Sequence, residues 1–320
     1  MSDFPELPDD LEAVPASGSA ELQAPDVDEA DAVSLADPDY GGFHSGFVSL
    51  VGRPNAGKST LMNQICGEKI AITSNKPQTT RHQIRGVYHG DETQIVFVDT
   101  PGIHKPVSAL GERLNSTASA AISDVDVVCL LIDATKPYGT GDQFVAQKLP
   151  KNAIVVVNKV DIAKRDEIIA QLVATSGLDF AEYFPVSART GKGVKELLDY
   201  LISRMPEGPR YFPDDMVSDV PDMMFIAELV REQLFRATRQ ELPYSIATQV
   251  TEMTWPHIRC EIIVERDSQK GMVIGKGGSL LKDVGIAVRK QLPEGAFIEL
   301  HVTVDKDWQR RPNRIELLGY

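Results

Sequence analysis

The chain has 320 residues, 42% of them hydrophobic and 25% charged, with a formal net charge of -13. That composition excludes a fibrous or wholly unfolded chain and suits a globular protein of about two domains. The acidity is local, because residues 1–40 hold twelve Asp or Glu and no Lys or Arg, which leaves 33 basic against 34 acidic side chains elsewhere; overall charge neither demands nor forbids a nucleic-acid partner.

In chain order, residues 1–42 form an acidic tail with few large apolar side chains. Such a segment cannot offset its ordering entropy, so disorder is expected. It lacks the basic and apolar blocks of a signal peptide. The longest apolar run, residues 125–132, is too short to span a bilayer, and no membrane segment is expected. Cys66, Cys129 and Cys260 are far apart. They read as reduced packing residues in a cytoplasmic compartment, without a disulfide framework or zinc pattern.

Residues 43–205 alternate short Val/Ile-rich runs with amphipathic segments. This pattern predicts a doubly wound α/β domain with a mostly parallel sheet. Residues 206–221, with four prolines and three aspartates, read as a linker. A second, α+β domain is expected over 222–320: an amphipathic helix over 223–241, strands over 244–254 and 258–265, helical character over 272–292 interrupted by G-K-G-G, a third strand over 297–304, and a last short helix near Leu318.

Chemistry is concentrated at the strand ends of the first domain. The run Gly52, Arg53, Pro54, Asn55, Ala56, Gly57, Lys58, Ser59, followed by Thr60, lies between a predicted strand and a predicted helix, the context of a phosphate-binding loop. Glycines there let backbone N–H groups face phosphates, Lys58 adds charge toward the β and γ phosphates, and Ser59 offers a hydroxyl to Mg2+. Asp99, Thr100, Pro101 and Gly102 end an apolar strand. The Asp99 carboxylate can hold Mg2+, and the N–H of Gly102 can approach a γ-phosphate. Asn158, Lys159 and Asp161 close another strand. Asp161 can accept from both N1–H and the exocyclic amine of guanine, an arrangement adenine does not offer. Ser187, Ala188 and Arg189 would present the Ala188 N–H to the guanine O6.

In the second domain Gly275, Lys276, Gly277 and Gly278 form a G-x-x-G loop, which packs closely against nucleic-acid backbone. Strands before it and one after it suggest the type II order of a KH domain. Arg266, Lys270, Lys276, Lys282, Arg289 and Lys290 cluster around it in sequence, and Lys276 is the candidate phosphate contact. Trp255 and Trp308 are read as packing residues no less than as stacking platforms.

Together these elements resemble the translation-factor-related class of P-loop GTPases, and more closely the Era family, over about residues 47–320. The features that carry the likeness are G-R-P-N-A-G-K-S, I-T-S-N-K-P-Q-T-T-R-H, D-T-P-G-I-H, N-K-V-D, S-A-R and the C-terminal G-x-x-G loop. The resemblance implies GTP hydrolysis with GTP/GDP and Mg2+ as ligands. It makes Thr80 the switch threonine on Mg2+, with Thr79 the rival; the residue types alone give only a polar, mobile loop over 73–85. Lys58, Thr80 and Gly102 become the residues nearest the reaction. Ile103 stands where Ras-like enzymes carry a water-orienting glutamine, and relatives with such a replacement and an Asn at position 55 are often activated by potassium, which implies K+ at Asn55. By the same likeness the partners are 16S ribosomal RNA and the 30S subunit in its maturation, with peripheral association at the inner membrane face as a further possibility and a monomer expected. Two alternatives stay open: a nucleotide-gated RNA-binding scaffold with negligible turnover, and a membrane-associated signalling GTPase.

Overall fold

The computed structural model describes residues 40–103, 106, 108–238 and 242–320. All but the last three residues of the expected acidic tail lie outside that range, as do His104 and Lys105 of the segment after Asp99.

Five strands run parallel: β1 (His44–Gly52), β3 (Thr93–Asp99), β4 (Val127–Asp133), β5 (Ile154–Asn158) and β6 (Glu182–Pro185). One more, β2 (Ile84–His89), is antiparallel to β3, and the order across the sheet is β2-β3-β1-β4-β5-β6. Both β3 and β5 are buried at every position, which explains why they read as unbroken apolar runs: helices cover both faces. On one face Leu50, Phe97 and Val156 pack with Leu61 and Met62 of α1 (Lys58–Cys66) and Leu197 and Leu201 of α5 (Val194–Arg204). On the other, Val51, Leu130 and Val155 pack with Ala118 of α2 (Ala109–Ser123), Val145 of α3 (Thr140–Ala146) and Leu172 of α4 (Arg165–Ser176). Each fully buried aliphatic side chain contributes about 1.5–3 kcal/mol before entropy is counted. The strand order reverses at β1, with β3 on one side and β4 on the other, so the carboxyl ends of these strands open on the crevice where α/β sheets bind ligands.

The second half contains α6 (Asp222–Ala237), β7 (Ala247–Thr254), β8 (His257–Val264), α7 (Asp267–Ile274), α8 (Ser279–Arg289), β9 (Phe297–Val304) and α9 (Pro312–Leu317). Its sheet runs β7-β8-β9, antiparallel then parallel. Leu229, Val230, Ile262, Val273, Val284 and Val288 form its core. Trp308 is buried in a separate cluster with Ala247, Ile263 and, from α2, Leu110 and Leu114, its Nε1 donating to the Ser245 carbonyl at 3.0 Å, whereas Trp255, between β7 and β8, is 51% exposed.

Two stretches differ from their reading in the sequence. The loop expected over 73–85 gives up its end to β2, and Ile72 just before it is buried among the core side chains of the second half. Residues 206–221 do not span open space. Ser45 donates to the Pro209 carbonyl at 2.6 Å, the Gln94 side chain bonds the backbone of Tyr211 and Phe212, and Val87 N–H donates to the Val217 carbonyl at 2.9 Å. The pairing runs both ways: Ser45 and Val87 donate to strap carbonyls, and the N–H groups of Gly208, Tyr211 and Phe212 donate back to Phe43 and Gln94.

Candidate functional site

Strand β1 delivers residues 52–59 into the crevice. Gly57 has φ +100°, and a Cβ added there would lie 2.2 Å from Asn158 Nδ2; one added at Gly52 would lie 2.5 Å from the Leu131 carbonyl. Only glycine fits at either place. The loop passes directly into α1, whose first residues are Lys58 and Ser59, so its unpaired N–H groups and positive dipole end meet at the crevice. Lys58 is buried, and burial pushes its pKa down against the charge of Asp99. A desolvated ammonium is stabilised by an arriving polyanion.

Three oxygens meet beside it. Ser59 Oγ lies 2.9 Å from Thr80 Oγ1 and donates to Asp99 Oδ2 at 2.5 Å, while Thr80 Oγ1 donates to the same oxygen at 3.1 Å. Asp99 Oδ1 is buried with no hydrogen-bond partner, and burial pushes the Asp99 carboxyl up, opposed by Lys58. An unspent carboxylate oxygen among hard hydroxyl donors fits a small divalent cation such as Mg2+. Thr79 is turned away, its hydroxyl donating to the Lys76 carbonyl at 2.7 Å; of the two threonines the structure brings Thr80 to Ser59 and Asp99.

The rest of the phosphate side divides by role. A Cβ at Gly102 would lie 2.7 Å from the Pro54 nitrogen, so the segment after Asp99 closes directly on the phosphate loop. Thr100 donates to the Leu50 carbonyl at 3.0 Å, and Pro101 is buried beside it. Arg53 pairs with Asp142 at 3.1 Å. Ala56 is a core residue, and Ile103 packs against Val51 and Val128. Asn55, at φ +67°, donates from its side chain to the Asn75 carbonyl at 2.7 Å.

On the base side Asp161 accepts from Ser187 Oγ at 2.8 Å and pairs with Arg189 at 2.5 Å. Burial is the largest single influence and pushes its carboxyl up, but the hydrogen bonds of Ser187 and of its own backbone and the charge of Arg189 together hold it below the usual range. Lys159 bonds Asp133 at 2.7 Å. The Ala188 N–H donates to Asn158 Oδ1 at 2.9 Å, and Asn158 Nδ2 donates to the Ala56 carbonyl at 2.8 Å. A cavity of about 660 Å3 is lined by Asn158, Lys159, Asp161, Ala188 and Arg189, and also by Asn55, Gly57, Thr60, Thr73 and Ser74. Those last five residues also line a smaller pocket of about 40 Å3 against Lys58, Ser59, Thr80 and Gly102.

Sequence reasoning missed several contributors to this region. Asp133, at the end of β4, orders Lys159. Phe235 and Arg236 of α6 line the larger cavity. Arg81 and Arg231 reach across the two halves: Arg81 to the carbonyls of Tyr244 and Ile246, and Arg231 to those of Gln78 and Thr79. No local motif marks such contacts, which join residues more than a hundred positions apart.

In the second half, α7 ends at Ile274 and the G-x-x-G loop follows. Gly275, Gly277 and Gly278 all have positive φ. A Cβ on Gly275 would lie 2.8 Å from Leu280 Cβ, while one on Gly277 or Gly278 would meet nothing within 4 Å. Lys276 and Gly277 are exposed, so the loop presents bare backbone beside a cation.

Sheet, cradle and loop define a class: a P-loop GTPase domain followed by a KH domain. Residues 47–159 match the model of a family described as 50S ribosome-binding GTPase, and residues 241–309 match that of the KH domain. GTPase Era of Mycobacterium tuberculosis (strain ATCC 25618 / H37Rv) is 46% identical over 297 residues, covering 87% of this chain and 99% of the relative; GTPase Era of Mycolicibacterium smegmatis (strain ATCC 700084 / mc(2)155) is 44% identical over 296 residues with the same coverage. The chain belongs to the Era family of GTPases. Two solved Era structures match with a TM-score of 0.82 at 36% identity, each covering 87% of this chain and 99% of its own: an Aquifex aeolicus Era variant bound to GDP.AlF4-, and Era in complex with MgGDPNP and nucleotides 1506–1542 of 16S ribosomal RNA. No helix among the described residues is long and apolar enough to cross a membrane.

Proposed function

We propose that this chain binds and hydrolyses GTP with Mg2+ at the crevice of its first domain, and that it engages 16S ribosomal RNA through its KH domain during maturation of the 30S subunit. The observation that carries the reading is the continuity of the cavity, with Asp161 at one end and Lys58, Ser59, Thr80 and Asp99 at the other, joined through shared walls at Asn55, Gly57 and Thr60. Lys58 and the N–H groups of residues 52–60 hold the phosphates. Ser59, Thr80 and Asp99 hold Mg2+, which when bound screens the charge that develops on the transferred phosphoryl group. Gly102 brings its N–H to the γ-phosphate side, and Asp161 selects guanine while Asn158, Lys159, Ser187, Ala188 and Arg189 shape its surroundings. Because Ile103 packs in the core, no side chain at that position orients the attacking water. Potassium at Asn55 is the charge that would compensate.

The second domain's part rests on the open loop of Gly275, Lys276, Gly277 and Gly278 and on the Era complex with nucleotides 1506–1542 of 16S ribosomal RNA. The test is calorimetry with GTP and ATP, phosphate release with Lys58→Ala as control, and crosslinking of the GTP-bound chain to cellular RNA with the site mapped. Tight GTP binding without ATP competition, turnover lost in the variant, and crosslinks at the 3′ region of 16S RNA support the reading; even competition by ATP overturns it. Binding without turnover would make the chain a nucleotide-gated scaffold. Sedimentation with ribosomes rather than lipid vesicles separates it from a membrane-associated signalling GTPase.

A further inference from the structure

Thr80 stands on a loop that the second domain grips along its length. Ile72 is buried in that domain's core, and Thr73 N–H donates to Glu232 Oε1 at 3.1 Å. Lys76 Nζ donates to the carbonyls of Phe235 and Thr238. Arg231 donates to the carbonyl of Thr79 and, at 3.4 Å, to that of Gln78. One residue beyond Thr80, Arg81 donates to Ile246 at 2.7 Å and Tyr244 at 2.9 Å and lies over the rings of Trp308 and Tyr320.

Arg231 is fully buried and donates from Nε to Glu228 Oε1 at 2.8 Å. A buried guanidinium needs all its N–H groups satisfied, and here two of its acceptors are peptide carbonyls of the first domain. The Thr79 carbonyl belongs to the peptide that leads into Thr80, so holding that oxygen holds the peptide plane and the Thr80 backbone from which the hydroxyl reaches Ser59 and Asp99. Gln78 has φ +58°, a conformation residues with side chains seldom hold unless their surroundings impose it.

We propose that Arg231 is a positioning residue for the nucleotide site. From the RNA-binding domain it sets the peptide before Thr80 so that the hydroxyl reaches the cation of a bound triphosphate. The inference rests on Ser59, Thr80 and Asp99 being the magnesium ligands. Arg231 touches neither nucleotide nor metal, so its effect falls on discrimination: a triphosphate with Mg2+ uses Thr80 and a diphosphate does not. By reciprocity, the triphosphate strengthens the grip of the two domains as much as the grip strengthens triphosphate binding.

The experiment compares guanosine 5′-(β,γ-imido)triphosphate with GDP on the full chain across a magnesium series. Two variants are used: Arg231→Met combined with Glu228→Gln, which removes both buried charges, and Arg231→Lys, which keeps the charge pair but loses the fork. In both, the imido analogue is expected to weaken about tenfold and to need more magnesium for half-saturation, while GDP changes by less than about twofold. Equal weakening of both nucleotides, or no change in folded protein, overturns the proposal. Should the variants not fold, hydrogen exchange of the unaltered chain decides. Amides of residues 78–81 and of residues 231–235 should gain protection together when the imido analogue replaces GDP, and protection of the loop alone overturns the coupling. A parent chain that takes up both nucleotides without any magnesium dependence removes the magnesium reading itself, a result distinct from altered discrimination in the variants alone.

Discussion

The side chain of Asn158 donates to the carbonyl of Ala56 at 2.8 Å and accepts from the Ala188 N–H at 2.9 Å, so one amide ties the phosphate loop to both base-side loops. It is buried, and neither neighbour can turn to water. Replacing it with Ala leaves two buried polar groups unpaired, at about 1–3 kcal/mol each. GTP affinity in Asn158→Ala should fall by about tenfold or more by calorimetry, with the circular dichroism spectrum unchanged. Gly57→Ala should do worse, because its Cβ would sit 2.2 Å from that amide nitrogen at φ +100°.

Under the proposed function the choice of base falls to Asp161. Asp161→Asn exchanges an acceptor for a donor, and xanthine presents a carbonyl where guanine presents its amine. Competition binding should then favour xanthosine over guanosine nucleotides by about a hundredfold relative to the parent chain. Retained guanine preference would move base selection to another residue.

Glu228 gives the domain interface an acid-sensitive element. Burial alone would push its carboxyl up, but the charge and hydrogen bonds of Arg231 outweigh burial and hold it below the ordinary value of 4.5. With the native pKa depressed, its stabilising contribution is complete above the unfolded value and is lost as pH falls through the native one. Thermal unfolding below pH 4.5 should therefore steepen with acid, and Glu228→Gln should flatten that slope while lowering stability at neutral pH, since Arg231 then stays buried without its counter-charge.

At the G-x-x-G loop the glycines are not equivalent. Gly277→Asp places a carboxylate in open space at a φ of +59° that Asp tolerates, so unfolding temperature should change little. RNA affinity at one fixed salt concentration should drop about tenfold or more through repulsion of phosphates. Gly275→Ala meets Leu280 at 2.8 Å and should lose stability along with binding.

Phosphate release should run faster in potassium than in sodium buffer, and Asn55→Ala should remove the difference. Equal rates in the two salts would leave Asn55 as a brace alone, through its bond to the Asn75 carbonyl.

Much of this was legible in the amino-acid sequence because the relevant physics is local. A glycine loop between an apolar strand and a helix, a carboxylate at a strand end and a G-x-x-G interruption each constrain a few consecutive residues. Thr80 could be named only by family likeness, since Thr79 is the same residue type one position away; only the fold shows the Thr79 hydroxyl on the Lys76 carbonyl and that of Thr80 on Asp99. Strand β2 was missed: Ile84 and Arg85 fell within the loop expected over 73–85, and exposed Arg85 with half-buried Tyr88 and His89 breaks any alternating or continuous apolar pattern. The grip of Arg81 and Arg231 across the domains left no periodic or spacing signal at all.

The proline-rich strap has a practical consequence for anyone wishing to isolate the first domain. Strand β2 is the last in its sheet, and Val217 and Ser218 bond to Val87 and Arg85 along its outer side. Cutting the chain at Arg204 would strip that cover and leave a bare strand edge that invites pairing with other molecules. A fragment ending after Val220 keeps its own edge protected and should stay monodisperse where the shorter one clumps.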